Sequence, residues 1–262
     1  MPTRQLTVLV AAILQFVMPF LPGLIPGFQR VGLSVNPVPP PEQPAGYAFG
    51  IWFVIFVLAL VYAVRQALPS QRDNPVYVSI GWPTAIAFGA GAVWMVLAQT
   101  IGNGWYLVAA IWAMLAASAV GLVHLLALRT GWDMFERRVT QPMLGLLTGW
   151  LTAAAWLNTS SYARLLTGGN LGFTANDLAL VVLGAIVATA LLGLILTRLN
   201  RYFVFALVWA LFAVGVQNAF IAETGSLEVA VMAFTLAAMG TLSITVKTSR
   251  EVAGRKPRAR RA

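Results

Sequence analysis

Trp150, Ala154 and Asn158 recur at intervals of four, so on an α-helix they share one face. That face offers an indole on which a flat ring can stack, a small gap for the ring's edge, and an amide that can donate to a carboxylate. A second aromatic group, Tyr47, Phe49 and Trp52, lies in Pro44-Ala45-Gly46-Tyr47-Ala48-Phe49-Gly50-Ile51-Trp52. A third element reads Ile80-Gly81-Trp82-Pro83 and, further on, Ala92-Val93-Trp94. These residue types stack and hydrogen-bond; they do not make or break bonds. The same residues also serve as packing, because small side chains let membrane helices approach closely. Trp105 and Trp132, near the ends of apolar runs, read as interfacial anchors.

Other chemistries are poorly supplied. The chain has no cysteine, which excludes disulfides, thiolate metal sites and cysteine nucleophiles. Its single histidine, His124, stands without a second ligand and reads as an interhelical or interfacial hydrogen-bonding group rather than a haem ligand. No Asp, Glu, Lys or Arg falls in the middle of an apolar run. Ion-coupled transporters, proton pumps and voltage sensors place ionisable groups there, and an intramembrane hydrolase needs an acid, a base or a metal set.

The elements that must position these residues are eight apolar stretches: Leu6–Ile25, Tyr47–Val64, Tyr77–Ala98, Trp105–Leu128, Pro142–Leu157, Leu178–Leu196, Tyr202–Ala222 and Val229–Val246. Charged residues make up 10% of the chain, against about 25% in a soluble domain, and each stretch approaches the roughly 20 residues that cross a bilayer. The N-terminus and the even-numbered connections carry Arg4, Arg65, Arg72, Arg129, Arg137, Arg138, Arg198 and Arg201. The C-terminal tail adds Lys247, Arg250, Arg255, Lys256, Arg258, Arg260 and Arg261. Only Arg30 and Arg164, of 17 basic residues, fall on the other side. The positive-inside rule then predicts eight spans with both termini cytoplasmic, in an inner (cell) membrane of bacterial type. The net charge of +9 is concentrated in the tail, so anionic lipid headgroups are its expected partner and nucleic acid is not.

The first stretch is expected to remain as a helix, since Phe20–Gly27 offers no small-x-small cleavage pattern, and to bend near Pro19 and Pro22. The connection Phe28–Gly46 holds five prolines and predicts an extended cover over the bundle mouth. Asn158–Asp177 predicts a turn-rich outer loop, with Asn176 and Asp177 at the N-cap of the next helix. Eight of the nine tryptophans precede residue 160, which suggests a five-helix core (1–160), a three-helix extension (161–246) and a basic tail (247–262).

The three motifs together resemble the translocator protein/tryptophan-rich sensory protein (TspO/MBR) family. Its second helix opens P-P-x-W-x-F before a tryptophan, and its fifth carries W-x-x-x-A-x-x-L-N. The matching residues are Pro44, Tyr47, Phe49 and Trp52, then Trp150, Ala154, Leu157 and Asn158, with Trp94 as the tryptophan of the third helix. Gly91 stands where the family has asparagine, and residues 161–262 run past its five helices. The resemblance implies an all-α, polytopic membrane bundle that binds, senses or translocates a hydrophobic planar ligand, a tetrapyrrole such as porphyrin or haem. It needs no obligatory cofactor, no metal and no catalytic residue, and is compatible with a homodimer. The ligand-binding residues it implies are Tyr47, Phe49, Trp52, Trp94, Trp150, Ala154 and Asn158. Two other readings are an exporter of another lipophilic metabolite and an intramembrane lipid-modifying enzyme.

Overall fold

In the computed structural model, which describes residues 2–29, 39–169 and 171–255, eight helices follow one another and no strand is present among those residues. They are α1 Thr3–Val17, α2 Ile51–Ala67, α3 Pro75–Thr100, α4 Trp105–Ala127, α5 Gln141–Leu166, α6 Ala175–Leu196, α7 Arg201–Val216 and α8 Leu227–Arg255. A 3-10 segment, Met18–Gly23, continues α1 through Pro19 and Pro22, where the missing amide hydrogens end the regular helix. Seven of the eight helices are long and apolar enough to cross a membrane.

The helix below that threshold, α5, explains the architecture. Every residue from Pro142 to Ala155 is buried, and α4, α6, α7 and α2 pack around it. Protein rather than lipid is its solvent, so it tolerates polar side chains. Thr148 donates to the Leu144 carbonyl (2.8 Å) and Thr152 to that of Thr148 (2.9 Å), which leaves no hydroxyl orphaned. Two glycines on α5 allow α7 to approach. A Cβ at Gly145 would lie 2.6 Å from Tyr202 Cβ, and one at Gly149 would collide with the carbonyl oxygen of Phe203.

Three expectations change. Helix α5 runs to Leu166, nine residues past Leu157, and the Asn158 and Thr159 side chains satisfy their polarity within it by donating to the carbonyls of Ala154 (3.0 Å) and Ala155 (2.8 Å). The cap of α6 is Thr174, not Asn176 or Asp177. Thr174 Oγ1 accepts from the Asp177 amide (3.1 Å) and the Asp177 carboxylate reaches back, a reciprocal capping box. Lys247 is helical, and its ammonium ties α8 to the turn between α6 and α7 by donating to the carbonyls of Arg198 (2.7 Å) and Leu199 (2.9 Å). Those two residues hold left-handed backbone, φ 53° and 56°, a costly conformation for side-chain-bearing residues. Part of the tail, 256–262, lies outside the described residues.

Contacts sort the connections onto two ends. At one end Arg4 donates to the Arg72 carbonyl (2.8 Å) and Arg65 pairs with Asp133 (3.4 Å). Gln5 and Gln66 exchange side-chain-to-backbone hydrogen bonds there. At the other end Asn103 donates to the Ser161 carbonyl (3.1 Å), and the Gln29 amide to that of Gln99 (2.9 Å).

The Arg65 end also holds an acid pair before α5. Asp133 and Glu136 exchange amide-to-carboxylate hydrogen bonds (2.9 and 3.1 Å), another capping box, and the buried Tyr77 hydroxyl of α3 lies against the Glu136 carboxyl. Burial, and then the Asp133 carboxyl, push the Glu136 carboxyl above its usual range. A hydrogen bond from Glu136 holds Asp133 below its own, with Arg65 a lesser cause. Of the pair, Asp133 is thus the easier to ionise and Glu136 the harder. An acid whose folded pKa is raised stabilises the fold most when protonated, and that contribution falls as pH rises through the window between its unfolded and folded values. The thermal midpoint of the wild type, relative to Glu136→Gln, is expected to fall as pH rises from the acid range toward neutrality. A difference that stays constant with pH would show that the fold does not raise the Glu136 carboxyl.

Candidate functional site

The five helices α1 to α5 enclose a cavity of about 40 Å³ toward the Asn103 end of the bundle. Its walls are Gln15 from α1, Trp52 and Phe56 from α2, Gly91, Trp94 and Met95 from α3, Ile111 and Met114 from α4, and Ala154 and Asn158 from α5. Trp52 stacks on Phe56, one turn along α2, with centroids 5.2 Å apart and planes at 28°. Trp94 donates its indole N–H to Asn158 Oδ1 (3.1 Å), and Asn158 Nδ2 donates to the Ala154 carbonyl (3.0 Å). These bonds lock one indole and one amide in the wall and use up most of their polarity. No charged side chain lines the space.

The residues expected from sequence divide into two groups. Trp52, Trp94, Ala154 and Asn158 come together as cavity wall. Trp150 lies one turn behind them, fully buried, its ring edge-on to Trp52 (6.2 Å) and to Phe49 (5.7 Å). Tyr47 and Phe49 are not in the wall. Tyr47 meets Trp209 of α7 edge-on (5.5 Å), and Trp209 in turn donates to the Ala48 carbonyl (2.9 Å). The physical reason is the 3-10 segment Gly46–Gly50, which enters α2 at a tighter pitch and sets Tyr47 against α7 and Phe49 against Trp150 of α5. His124 faces away from the cavity. Its Nδ1 lies 3.3 Å from the Ser79 carbonyl of α3, a contact that requires the proton on Nδ1.

Gln15 and Gly91 are wall residues that motif reading does not find. Gln15 is 2% exposed, and both its amide atoms are buried without a partner. Gly91 makes room for it, since a Cβ there would stand 3.0 Å from Gln15 Oε1 and 3.1 Å from Met114 Cε. The available signal was an amide placed inside the apolar run Leu6–Ile25.

Above the cavity, the described end of the proline-rich connection is clasped to the bundle. Glu42, only 3% exposed at its side chain, accepts from Arg164 Nη2 at 2.9 Å on both oxygens and from Ser160 Oγ at 3.0 Å. Asn218 donates to the Pro41 carbonyl (2.7 Å) and the Ala45 amide to that of Ala213 (3.1 Å). Residues 41–45 thus join the ends of α5 and α7, while 30–38, also expected in the cover, lie outside the described residues.

The site is an aromatic-walled space between five helices, suited to apolar ring systems and lacking any nucleophile or acid–base pair in its walls. No curated protein and no solved structure matches this sequence. A family model described as TSPO-like protein does, from residue 5 to residue 246. That stretch begins in α1 and ends in α8, so it takes in the cavity helices and the three that follow, and the chain belongs to the TSPO-like protein family.

Proposed function

We propose that this membrane protein binds a hydrophobic planar ligand, of the tetrapyrrole class, in the cavity between α1 and α5, and that it senses or carries that ligand rather than transforming it. The observation that carries the reading is the wall itself: Trp52, Phe56 and Trp94 supply ring faces, Ala154 a gap, and Gln15 and Asn158 amides. A water takes roughly 10–15 Å³ of such space, so about 40 Å³ admits the edge of a tetrapyrrole, and full entry requires the helices to part. Titration of the detergent-purified protein with protoporphyrin IX, followed by tryptophan quenching, tests this directly. Ala154→Leu fills the gap and is expected to abolish quenching with the fold retained. Trp52→Ala removes a stacking face and is expected to cost about 1–3 kcal/mol, as for aromatic stacking on bases. Undiminished affinity in both variants would sink the proposal.

For orientation, the proposal places the Arg65 end, and with it both termini, in the cytoplasm of a bacterial-type cell, because the basic residues gather there. Reporter fusions after Arg72, Arg138 and Arg201 are expected to read cytoplasmic and one after Thr167 external. A cytoplasmic signal after Thr167 would overturn the topology.

A further inference from the structure

We infer that Gln15 is the specificity-determining residue of the cavity, and that it reads a ring lactam, a cis-amide edge carrying N–H and C=O side by side. The inference rests on the proposed ligand-binding role of the same space and adds to it the polar chemistry of the ligand. Among the polar groups in the wall, Trp94 and Asn158 satisfy each other and the Ala154 carbonyl. The Gln15 amide, 2% exposed, has neither its Nε2 nor its Oε1 satisfied. A buried amide with no partner is unfavourable, and native proteins retain few of them.

The geometry shows what would satisfy it. Gly91, with no side chain, lets the amide lie close against α3, where a Cβ would come 3.0 Å from Oε1 and 3.4 Å from Cδ, and the amide borders the cavity there. The neighbouring wall is ring and thioether: Trp52, Phe56, Met95 and Met114. Along one edge a primary amide presents an N–H donor and a C=O acceptor in a plane. Its complement is a group with an acceptor and a donor in the same plane, and a lactam fused to an aromatic ring has both, with the ring left for the indoles. A ring of the same shape without the N–H satisfies only half of the amide and leaves Oε1 buried and unpaired, which is the basis of discrimination by polar sites.

The test uses 2-quinolone, a planar lactam, and 2-methoxyquinoline, a planar analogue without the N–H, titrated calorimetrically into the detergent-purified full chain and into Gln15→Met. Methionine nearly matches glutamine in volume and removes the unpaired polar atoms, so the variant is expected to fold, with a thermal midpoint at or above that of the wild type. The wild type is expected to prefer 2-quinolone by about tenfold or more, and Gln15→Met to lose that preference. An equal preference in Gln15→Met, no preference in the wild type, or no binding of either ring overturns the inference. Absence of protoporphyrin quenching alongside an intact quinolone preference would overturn the tetrapyrrole reading alone.

Discussion

Arg164→Ala is expected to destabilise the folded protein by about 3–5 kcal/mol, the range for removing one partner of a buried ion pair. The Glu42 side chain is 3% exposed and would keep only Ser160 Oγ at 3.0 Å. Arg164 itself is 22% exposed, so water would partly replace its guanidinium, and the lower end of the range applies. The segment 41–45 leads straight into α2, which carries Trp52, and should become sensitive to protease when its clasp is lost. The double variant Glu42→Gln with Arg164→Ala leaves no charge to bury and should recover most of the stability. Thermal unfolding in detergent checks both. A single variant as stable as wild type would mean the pair behaves like a surface bridge, worth about 1 kcal/mol or less.

The clasp also shows where sequence reading stops. The basic residues and apolar runs located eight helices because hydrocarbon length and charge placement are one-dimensional constraints. The end of α5 was not legible in the same way. Asn158, Thr159, Ser160 and Arg164 read as loop by polarity, yet they continue the helix because α5 is sheathed by protein and by the 41–45 segment. Polarity there reports protein neighbours instead of water. The α6 cap lies two and three residues before Asn176 and Asp177, because Thr174 and Asp177 cap each other across a turn and the sequence alone does not show which of them starts the helix. Lys247 was counted as tail charge because a lysine's ability to reach the carbonyls of a strained turn depends on how α8 lies beside α6.

For the site, helical spacing grouped Ala154 and Asn158 correctly, and Trp52 and Trp94 meet them across the cavity. The spacing could not show that Trp150, on the same face, stands behind Trp52, nor that a 3-10 entry sets Tyr47 against Trp209 and Phe49 against Trp150. Gln15 escaped because attention to charge inside the spans passes over amides, although a buried amide carries a real desolvation cost.

Gly149→Val is expected to have the largest effect on the fold. A side chain at 149 would meet the Phe203 carbonyl oxygen, and at 3.0 Å the Cβ of Ala206. Crowding against side chains costs about 1–3 kcal/mol, because rotamers can give way. Here the obstacle is the backbone of α7, which has no rotamers, so the two helices must separate along their length. Gly145, one turn away, already sits against Tyr202 and Asn200, and no slack remains at that end. Separation would unseat Asn200, whose Oδ1 caps α7 by accepting from the Tyr202 and Phe203 amides. At the far end it would pull Ala45 from the Ala213 carbonyl and loosen the segment above the cavity. The expected result is little or no folded protein recovered by size-exclusion chromatography in detergent. Gly184→Ala in α6 is the matched control, because nothing lies within 4 Å of its added methyl; it should be neutral or more stable, by up to about 1 kcal/mol. If Gly149→Val folds as well as this control, α5 and α7 are not held by close backbone approach, and the last three helices are attached to the cavity helices by some other seam.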